Sequence, residues 1–400
     1  MSAMLSVEEA RARILAPLRP TAAEIVPLAE AWSRVTTAPV LARLDQPPAD
    51  VSAMDGYALR SVDAGGRRVI GSAPAGHPFA GSVGAGEAVR LFTGSFVPEG
   101  ADTILLQENA TRLDDQVTPT EPVRAGLHIR RRGQDFAVGD VLVAPGTRLD
   151  ARAVGLMAAG NHAWASVHRR PVVAILATGD EIALPGDPIP PGGIVSSNAH
   201  ALAALVRARG GHPVVLPIAA DTREAIASAA ASVRGADLLV TTGGASVGDH
   251  DLVQPGLAEQ GFVLDFWKIA MRPGKPLIAG RLGDTAVIGL PGNPVSALVC
   301  AVLFLLPALD VLQGLPAAPP PVSRARLGGR LAANDHRADH LRATLDIRDG
   351  VAVATPFARQ DSSMLRVLNQ AGALILRAPH AGALDEGAEI DVIRLDILGI

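Results

Sequence analysis

The chain has 400 residues, 48% of them hydrophobic, and a formal net charge of -4. That is ample material for two to four buried cores, which with only 3% aromatics must rest on Ala, Val, Leu and Ile. The absence of a concentrated basic face argues against nucleic-acid binding, and the single cysteine, Cys300, excludes both an intrachain disulfide and a cysteine-rich metal site.

The N-terminal stretch MSAMLSVEEARARIL places acids and arginines where a signal peptide needs an apolar core. It reads as a helix start instead. Ser6 and Glu9 have capping-box spacing, and Ile14, Leu15 and Leu18 form one apolar face. Residues 46–129 are short-patterned, turn-punctuated and rich in Gly and Pro, which predicts an inserted β-rich domain. The flanking pieces, 1–45 and 130–170, read as one discontinuous helical linking unit. Asp55 sits in the tight-turn sequence SAMDGYA and Asp135 in RRRGQD. Arg130, Arg131 and Arg132 read as a solvated face.

From 171 to 315 the pattern alternates between strand and helix. PVVAILATG, HPVVLPIA, ADLLVTTGG, FVLDFWKIAM, PLIAGRLG and TAVIGLPG are predicted strands. Helices are predicted between them: SSNAHALAALVRARGG, capped by Ser or Asn and stopped by Gly210 and Gly211; TREAIASAAASV, capped by Asp221; and DLVQPGLAEQG, kinked or broken at Pro255. VSALVCAVLFLLPALDVLQG is apolar enough to raise the question of a membrane span, but Pro307 and Asp310 interrupt it, short of the roughly 20 apolar residues a span needs. Asn293 and Pro294 supply an N-cap and a first-turn proline, so a buried core helix with Cys300 inert inside it is expected, and no membrane. Residues 316–322, PAAPPPV, form a stiff linker, and 323–400 predicts a small all-β domain. The fold class is therefore multidomain α/β around a doubly wound, mostly parallel sheet, a class that binds ligands outside the carboxyl ends of its strands.

Two of those strand ends resemble each other. Thr178, Gly179, Asp180 and Glu181 follow one; Thr242, Gly243, Gly244 and Ser246 follow another. Backbone N–H groups of small-residue loops, with nearby hydroxyls, cradle anions. GLPGNP, ending in Asn293 and Pro294, adds the positive end of a helix dipole at the same edge. Three such features together favour a phosphate-bearing ligand. The usual nucleotide motifs are missing: Asp249 stands where a P-loop lysine would be, and no GxGxxG follows a strand. Lys268, Arg272 and Lys275, in FWKIAMRPGKP, read as an oxyanion clamp, although the register of the strand carrying Lys268 is open. Asp55, Asp135, Glu181 and Asp251 are the candidate acids. Carboxylates gathered near an anion imply a hard cation between them, Mg²⁺ above all. HRADH places His336 and His340 four apart, but without the Glu of HExxH and in a segment read as β, so no metal site is expected there. Asp249 and His250 read as solvent-facing turn residues.

Taken in order, SAMDGYALR, LFTGSFVPEGADTILLQE, IRRRGQDFAVGDVLVAPGTRL, LATGDEI, TTGGASVGDHD, FWKIAMRPGKP and GLPGNPVSAL resemble the molybdopterin molybdenumtransferase family, which includes the gephyrin E domain. The resemblance spans nearly the whole chain. It implies a cytoplasmic homodimer with four domains per chain, the last a small β-barrel at 323–400 and the 1–45/130–170 unit linking and dimerising. It further implies a transferase that binds adenylylated molybdopterin, inserts molybdate at the dithiolene and releases AMP with Mg²⁺ support, in transient contact with other cofactor-biosynthesis proteins. Carried over by position, Asp55, Thr93, Asp135, Glu181, Asp251, Lys268 and Lys275 fall on functional positions, as do Pro291 and Pro294; Arg272 replaces a Lys found in some members. Thr178, Gly179, Asp180, Asn198, Gly243, Gly244, Ser246, Pro276, Gly292 and Asn293 line the implied substrate site, with Arg342 and Ser362 near molybdate. Asp55, Glu181 and Asp251 are the implied metal acids. Two rival readings are a nucleotide-processing enzyme of the competence-damage-inducible type, which leaves SAMDGYA and RRRGQD unexplained, and a non-catalytic peptide-binding scaffold, which need not keep the acid and base set.

Overall fold

A computed structural model describes residues 4–243 and 252–398. The chain divides into two compact units. One comprises Met1–Glu24, Ser33–Val35 and His168–Ile400, the other Ile25–Trp32 and Thr36–Val167.

The larger unit is built on a six-stranded sheet in the order His212–Val215, Val172–Ala177, Leu238–Thr242, Thr285–Leu290, Pro276–Leu282, Phe262–Lys268. The first four strands are parallel and the last two antiparallel. The central strands are buried at nearly every position and mostly apolar because both faces are covered. Val173, Ile175, Leu238, Val240 and Ile288 face one layer, which holds helix Asn198–Ala208 and the apolar helix. Ala174, Leu176, Leu239 and Val287 face the other, which holds Arg223–Ala231 and Val253–Ala258.

The N-terminal helix, Val7–Leu15, starts on the expected capping box: the Ser6 hydroxyl accepts from the Glu9 N–H and the Glu9 carboxylate accepts from the Ser6 N–H. Its apolar face packs into the first of those layers, in contact with the apolar helix. The apolar helix runs unbroken from Pro294 to Leu312 and is buried. Pro307, which cannot donate to a carbonyl four residues back, follows a π-helical turn at Ala301–Leu305. Asp310 accepts two hydrogen bonds from Arg209, at 2.8 and 2.5 Å, so its charge is paired inside the fold.

Two capping expectations and one helix break are corrected. Neither Ser197 nor Asn198 caps helix Asn198–Ala208 with its side chain; Asn198 is used elsewhere, as described below. The helix after Asp221 is capped by Thr222, whose hydroxyl accepts from the Ala225 N–H. Pro255 does not break its helix: Val253–Ala258 starts just before it, so the proline lies in the first turn, where its missing N–H has no partner to lose.

Five strands of the C-terminal region, Ser323–Leu327, Ala338–Arg348, Val351–Pro356, Ala373–Arg377 and Glu389–Arg394, pair in a closed ring. Small interior residues such as Ala325, Ala343, Ala354 and Ala373 suit the narrow lumen. The region is not purely β, since helix Leu365–Asn369 interrupts it. Met271–Arg272 pairs in parallel with Ala338 and Asp339, and so joins this sheet.

The smaller unit holds a second six-stranded sheet, ordered Thr103–Leu106, Gly56–Leu59, Glu87–Leu91, Arg67–Ala73, Gln116–Pro119, Ala110–Leu113. A separate cluster of Val26, Ala31, Val40, Val143, Leu149, Met157 and Val167 forms around helix Ala151–Ala159. This part was expected to be helical; its other regular segments are short strands such as Val40–Leu41 and Val141–Val143, because β-branched pairs there zip together. The basic cluster is a solvated face, as expected: Arg131 and Arg132 are exposed and form surface ion pairs to Asp50 and Asp45 at 2.5 Å each.

Candidate functional site

Ala177, Thr242 and Leu290 are register partners across the three central parallel strands. The segments that follow therefore leave the sheet side by side, as the strand-end pattern implies. Gly243 takes φ +100, and a Cβ there would lie 2.7 Å from the Thr178 carbonyl oxygen, so only glycine permits this approach. Asn198 reaches across the edge: its Nδ2 donates to Thr242 Oγ1 at 2.8 Å and to the Gly292 carbonyl at 2.7 Å. That is why it does not cap its own helix. One asparagine ties two strand ends together and leaves its Oδ1 without a partner among the described residues. Thr178 is buried, and its hydroxyl has no partner among the described residues. Asp180 accepts from the Asp221 N–H at 3.0 Å. The Glu181 carboxylate lies against Gly179, with no hydrogen bond or ion pair to another described residue. Gly244, Ser246, Asp249, His250 and Asp251 lie outside the described residues.

Past Leu290, Pro291 and Gly292 lead into the apolar helix. Asn293 stands at its N-cap but makes no side-chain cap bond. Its Nδ2 donates to Ser362 Oγ at 3.0 Å, and the Ser362 carbonyl accepts from the Val295 N–H at 3.1 Å. Ser362 thus satisfies a helix N–H that Asn293 was expected to serve. Ser362 is held in turn by Arg342, which is 1% exposed. The Arg342 guanidinium donates to the carbonyls of Asp361 at 2.9 Å and Met364 at 3.3 Å. Gln360 bonds both the N–H and the C=O of Arg342, at 3.0 and 2.9 Å. The Asp361 carboxylate accepts from the N–H and hydroxyl of Ser363, which keep it below the usual carboxylate range.

The three clamp cations have three different environments. Lys268 is paired in register with Pro276, and its Nζ lies 3.7 Å from the centroid of the Trp267 ring. Arg272 forms an ion pair with Asp339 and lies 3.5 Å from Asp335; the Asp339 hydrogen bond, ahead of other causes, raises its guanidinium pKa. Lys275 is exposed and has no side-chain partner among the described residues, while its carbonyl accepts from the Ile269 N–H at 3.1 Å. The turn between them is held by Gly274, at φ +107, where a Cβ would fall 2.4 Å from Cys300 Sγ. Cys300 is buried, which pushes its thiol well above the usual range and keeps it unreactive.

In the smaller unit Asp55 Oδ1 accepts from the N–H and hydroxyl of Thr93, at 2.8 and 2.9 Å. The Thr93 N–H first, then its hydroxyl, lowers the Asp55 pKa and holds the carboxylate charged. Arg90 stacks over Tyr57 and Phe92, 5.0 and 5.1 Å from the ring centroids, and donates to the Gly56 carbonyl at 3.1 Å. Asp135 is exposed, and its backbone N–H bonds the Gln46 carbonyl at 2.9 Å.

Among the described residues no three His, Cys, Asp or Glu side chains gather closely enough to hold a metal. His340 is buried on a strand, where burial pushes its imidazole down to about 4, and it forms no site with the exposed His336. Four contributors escaped sequence reasoning: Trp267 under Lys268, Asp335 and Asp339 beside Arg272, and Gln360 on Arg342. For Asp335, Asp339 and Gln360 the partner is distant in sequence, and for Trp267 the neighbouring lysine could have turned either way, so only the folded chain shows the contacts.

Three family models match successive stretches: the MoeA N-terminal region (domain I and II) over residues 5–160, a probable molybdopterin binding domain over 174–311, and the MoeA C-terminal region (domain IV) over 324–395. The chain is 33% identical to a molybdopterin molybdenumtransferase of Nostoc sp., across 94% of this chain and 89% of that one. It is 34% identical to molybdopterin molybdenumtransferase 2 of Mycobacterium tuberculosis, across 93% and 95%. The crystal structure of a molybdopterin biosynthesis moeA protein from Pyrococcus horikoshii OT3 superposes with a TM-score of 0.85 at 25% identity, covering 98% of this chain and 99% of that one. With its fold, its ordered motifs and its full-length relatives in agreement, the chain belongs to the molybdopterin molybdenumtransferase family.

Proposed function

We propose that the chain is a transferase of molybdenum cofactor biosynthesis, which takes adenylylated molybdopterin and molybdate, inserts the metal at the dithiolene and releases AMP. The observation that carries this reading is the sheet edge where Thr178, Gly243 and Gly292 emerge together, tied by Asn198. Such an edge offers backbone N–H groups to the phosphates. Lys275, uncommitted, supplies charge for the molybdate oxyanion, and the Ser362 hydroxyl supplies a hydrogen-bonding group at the helix start. Neither rival is favoured, because the family match runs through 5–160 as well as 174–311. The test is AMP release from adenylylated molybdopterin with and without molybdate; release that ignores molybdate sinks the proposal. Lys275→Ala should raise the molybdate KM about tenfold or more, the worth of one charge-assisted hydrogen bond, without lowering the melting temperature. An unchanged KM removes Lys275 from the site.

We also propose a Mg²⁺ requirement. The Glu181 carboxylate at the strand end, which has no hydrogen bond or ion pair among the described residues, supports it. The described residues do not assemble a complete ligand set, so no chemical step is assigned to the ion. AMP release that continues in EDTA would exclude it. A homodimer is proposed from exposed apolar side chains of the smaller unit, Ile25, Trp32 and Trp164, 64%, 66% and 59% exposed. Trp32→Asp should shift light scattering toward the monomer mass; an unshifted dimer places the interface elsewhere. A cytoplasmic location suits the lone buried thiol, and recovery of the activity in a membrane fraction would refute it.

A further inference from the structure

The turn that carries Lys275 is fixed along its backbone from both sides. On one side Leu5 bridges Ile269, and the Ala270 N–H donates to the Leu5 carbonyl at 2.8 Å. On the other, Met271 and Arg272 pair with Ala338 and Asp339, and the Ala338 N–H donates to the Ala270 carbonyl at 2.9 Å. Ile269 and Met271 are fully buried. The half-exposed Arg272 side chain closes on its own strand partner, Asp339. Asp335 stands 3.5 Å from the same guanidinium and is shared with Arg337, at 3.0 Å. Arg272 and Arg337 thus face Asp335 and Asp339, and the group is neutral as a whole. An oxyanion approaching this turn meets the charge of Arg272 already cancelled at contact distance. Lys275 is exposed and has no side-chain partner among the described residues.

Asp339 is poorly built as a stabilising group. It is 4% exposed, one carboxylate oxygen is committed to Arg272, and the other, Oδ1, is buried with no partner among the described residues. A buried acceptor without a donor costs stability, and buried ion pairs are often matched or bettered by apolar residues of like volume. What the carboxylate does supply is a fixed place for Arg272. Between Arg272 and Lys275 lie only Pro273, with its locked φ, and Gly274, seated on Cys300. The chain therefore has little freedom to move one cation without the other. We propose that Asp339 is a positioning residue for Lys275: it withdraws Arg272 from the oxyanion set and uses it as an anchor, leaving Lys275 as the cation of this turn that meets molybdate. The assignment rests on the transferase reading above.

The test is calorimetric titration of the full-length protein with molybdate. Asp339→Asn keeps the shape and removes the charge. It should weaken binding about fivefold or more, yet no further than Lys275→Ala does, because it acts only through that lysine. The double variant should bind as Lys275→Ala alone, since effects that pass through one group do not add. The melting temperature of Asp339→Asn should stay level or rise, whereas a merely structural residue would lower it and leave the affinity of the folded protein unmoved. Tighter binding by Asp339→Asn would show that the freed Arg272 takes the oxyanion itself. Additive losses in the double variant would show a route that bypasses Lys275. Either result overturns the proposal, as does an unchanged affinity or a wild-type protein that binds no molybdate. If Asp339→Asn fails to fold, Arg272→Met combined with Asp339→Leu replaces the pair by apolar side chains and permits the same comparison with and without Lys275→Ala. Failure of the transferase reading would show separately, as protein that binds molybdate with these sensitivities but never releases AMP in response to it.

Discussion

We expect Arg342→Ala to unfold about 3 kcal/mol or more below the wild type in denaturant titrations, and to lose the molybdate-dependent AMP release proposed above. The side chain is almost fully buried. Removing it empties that volume and strips the Asp361 and Met364 carbonyls of their donor. Cavity formation and orphaned buried acceptors each cost on the order of 1–3 kcal/mol or more. The activity loss has a separate cause. Those two carbonyls belong to the segment that sets Ser362 against Asn293 and the Val295 N–H. Arg342→Lys keeps the charge but cannot span both carbonyls with one planar fork, so it should recover part of the stability and little of the activity. A destabilisation below about 1 kcal/mol would show that the carbonyls find other donors.

Gly243→Ala is expected to lower kcat/KM about a hundredfold and to destabilise the protein by about 1–3 kcal/mol, the usual cost of forcing a side chain into such a backbone conformation. Its φ of +100 and the 2.7 Å approach to the Thr178 carbonyl leave no room for a methyl group. The strand end must shift, and Thr242, which Asn198 holds, shifts with it. Position, rather than charge, is what this substitution removes. A variant with normal kinetics would mean that the strand-end turn does not shape the substrate site.

What could be read from the sequence followed the strength of the local signal. Val172–Ala177 and Leu238–Thr242 were legible because strands covered on both faces open with unbroken apolar runs, VVAILA in one and LLV in the other. Ser6 with Glu9 was legible because a capping box closes within four residues. Gly243 was flagged by its place after a strand, and the reason proved to be backbone conformation. Failures came where a local role competes with a distant one. Asn198 and Asn293 look like caps, but each spends its amide across the fold, on Thr242 and Gly292 in one case and on Ser362 in the other. Arg272 looks like a free cation, yet Asp339, 67 residues on, claims it. Trp267 was quoted in a motif without a role, since nothing in the order of residues says that a lysine will stack on its neighbour's ring.

The short pairing of Met271 and Arg272 with Ala338 and Asp339 also bears on where this chain can be cut. The Pro-rich run at 316–322 marks a boundary in composition, but the hydrogen bonds ignore it. The hairpin that carries Lys268 and Lys275 grows out of the α/β sheet and is stitched at its tip to the barrel, so the two behave as one piece of cloth with a seam through the clamp. A fragment ending at the linker would keep every glycine of the strand ends, yet the clamp would hang by one edge.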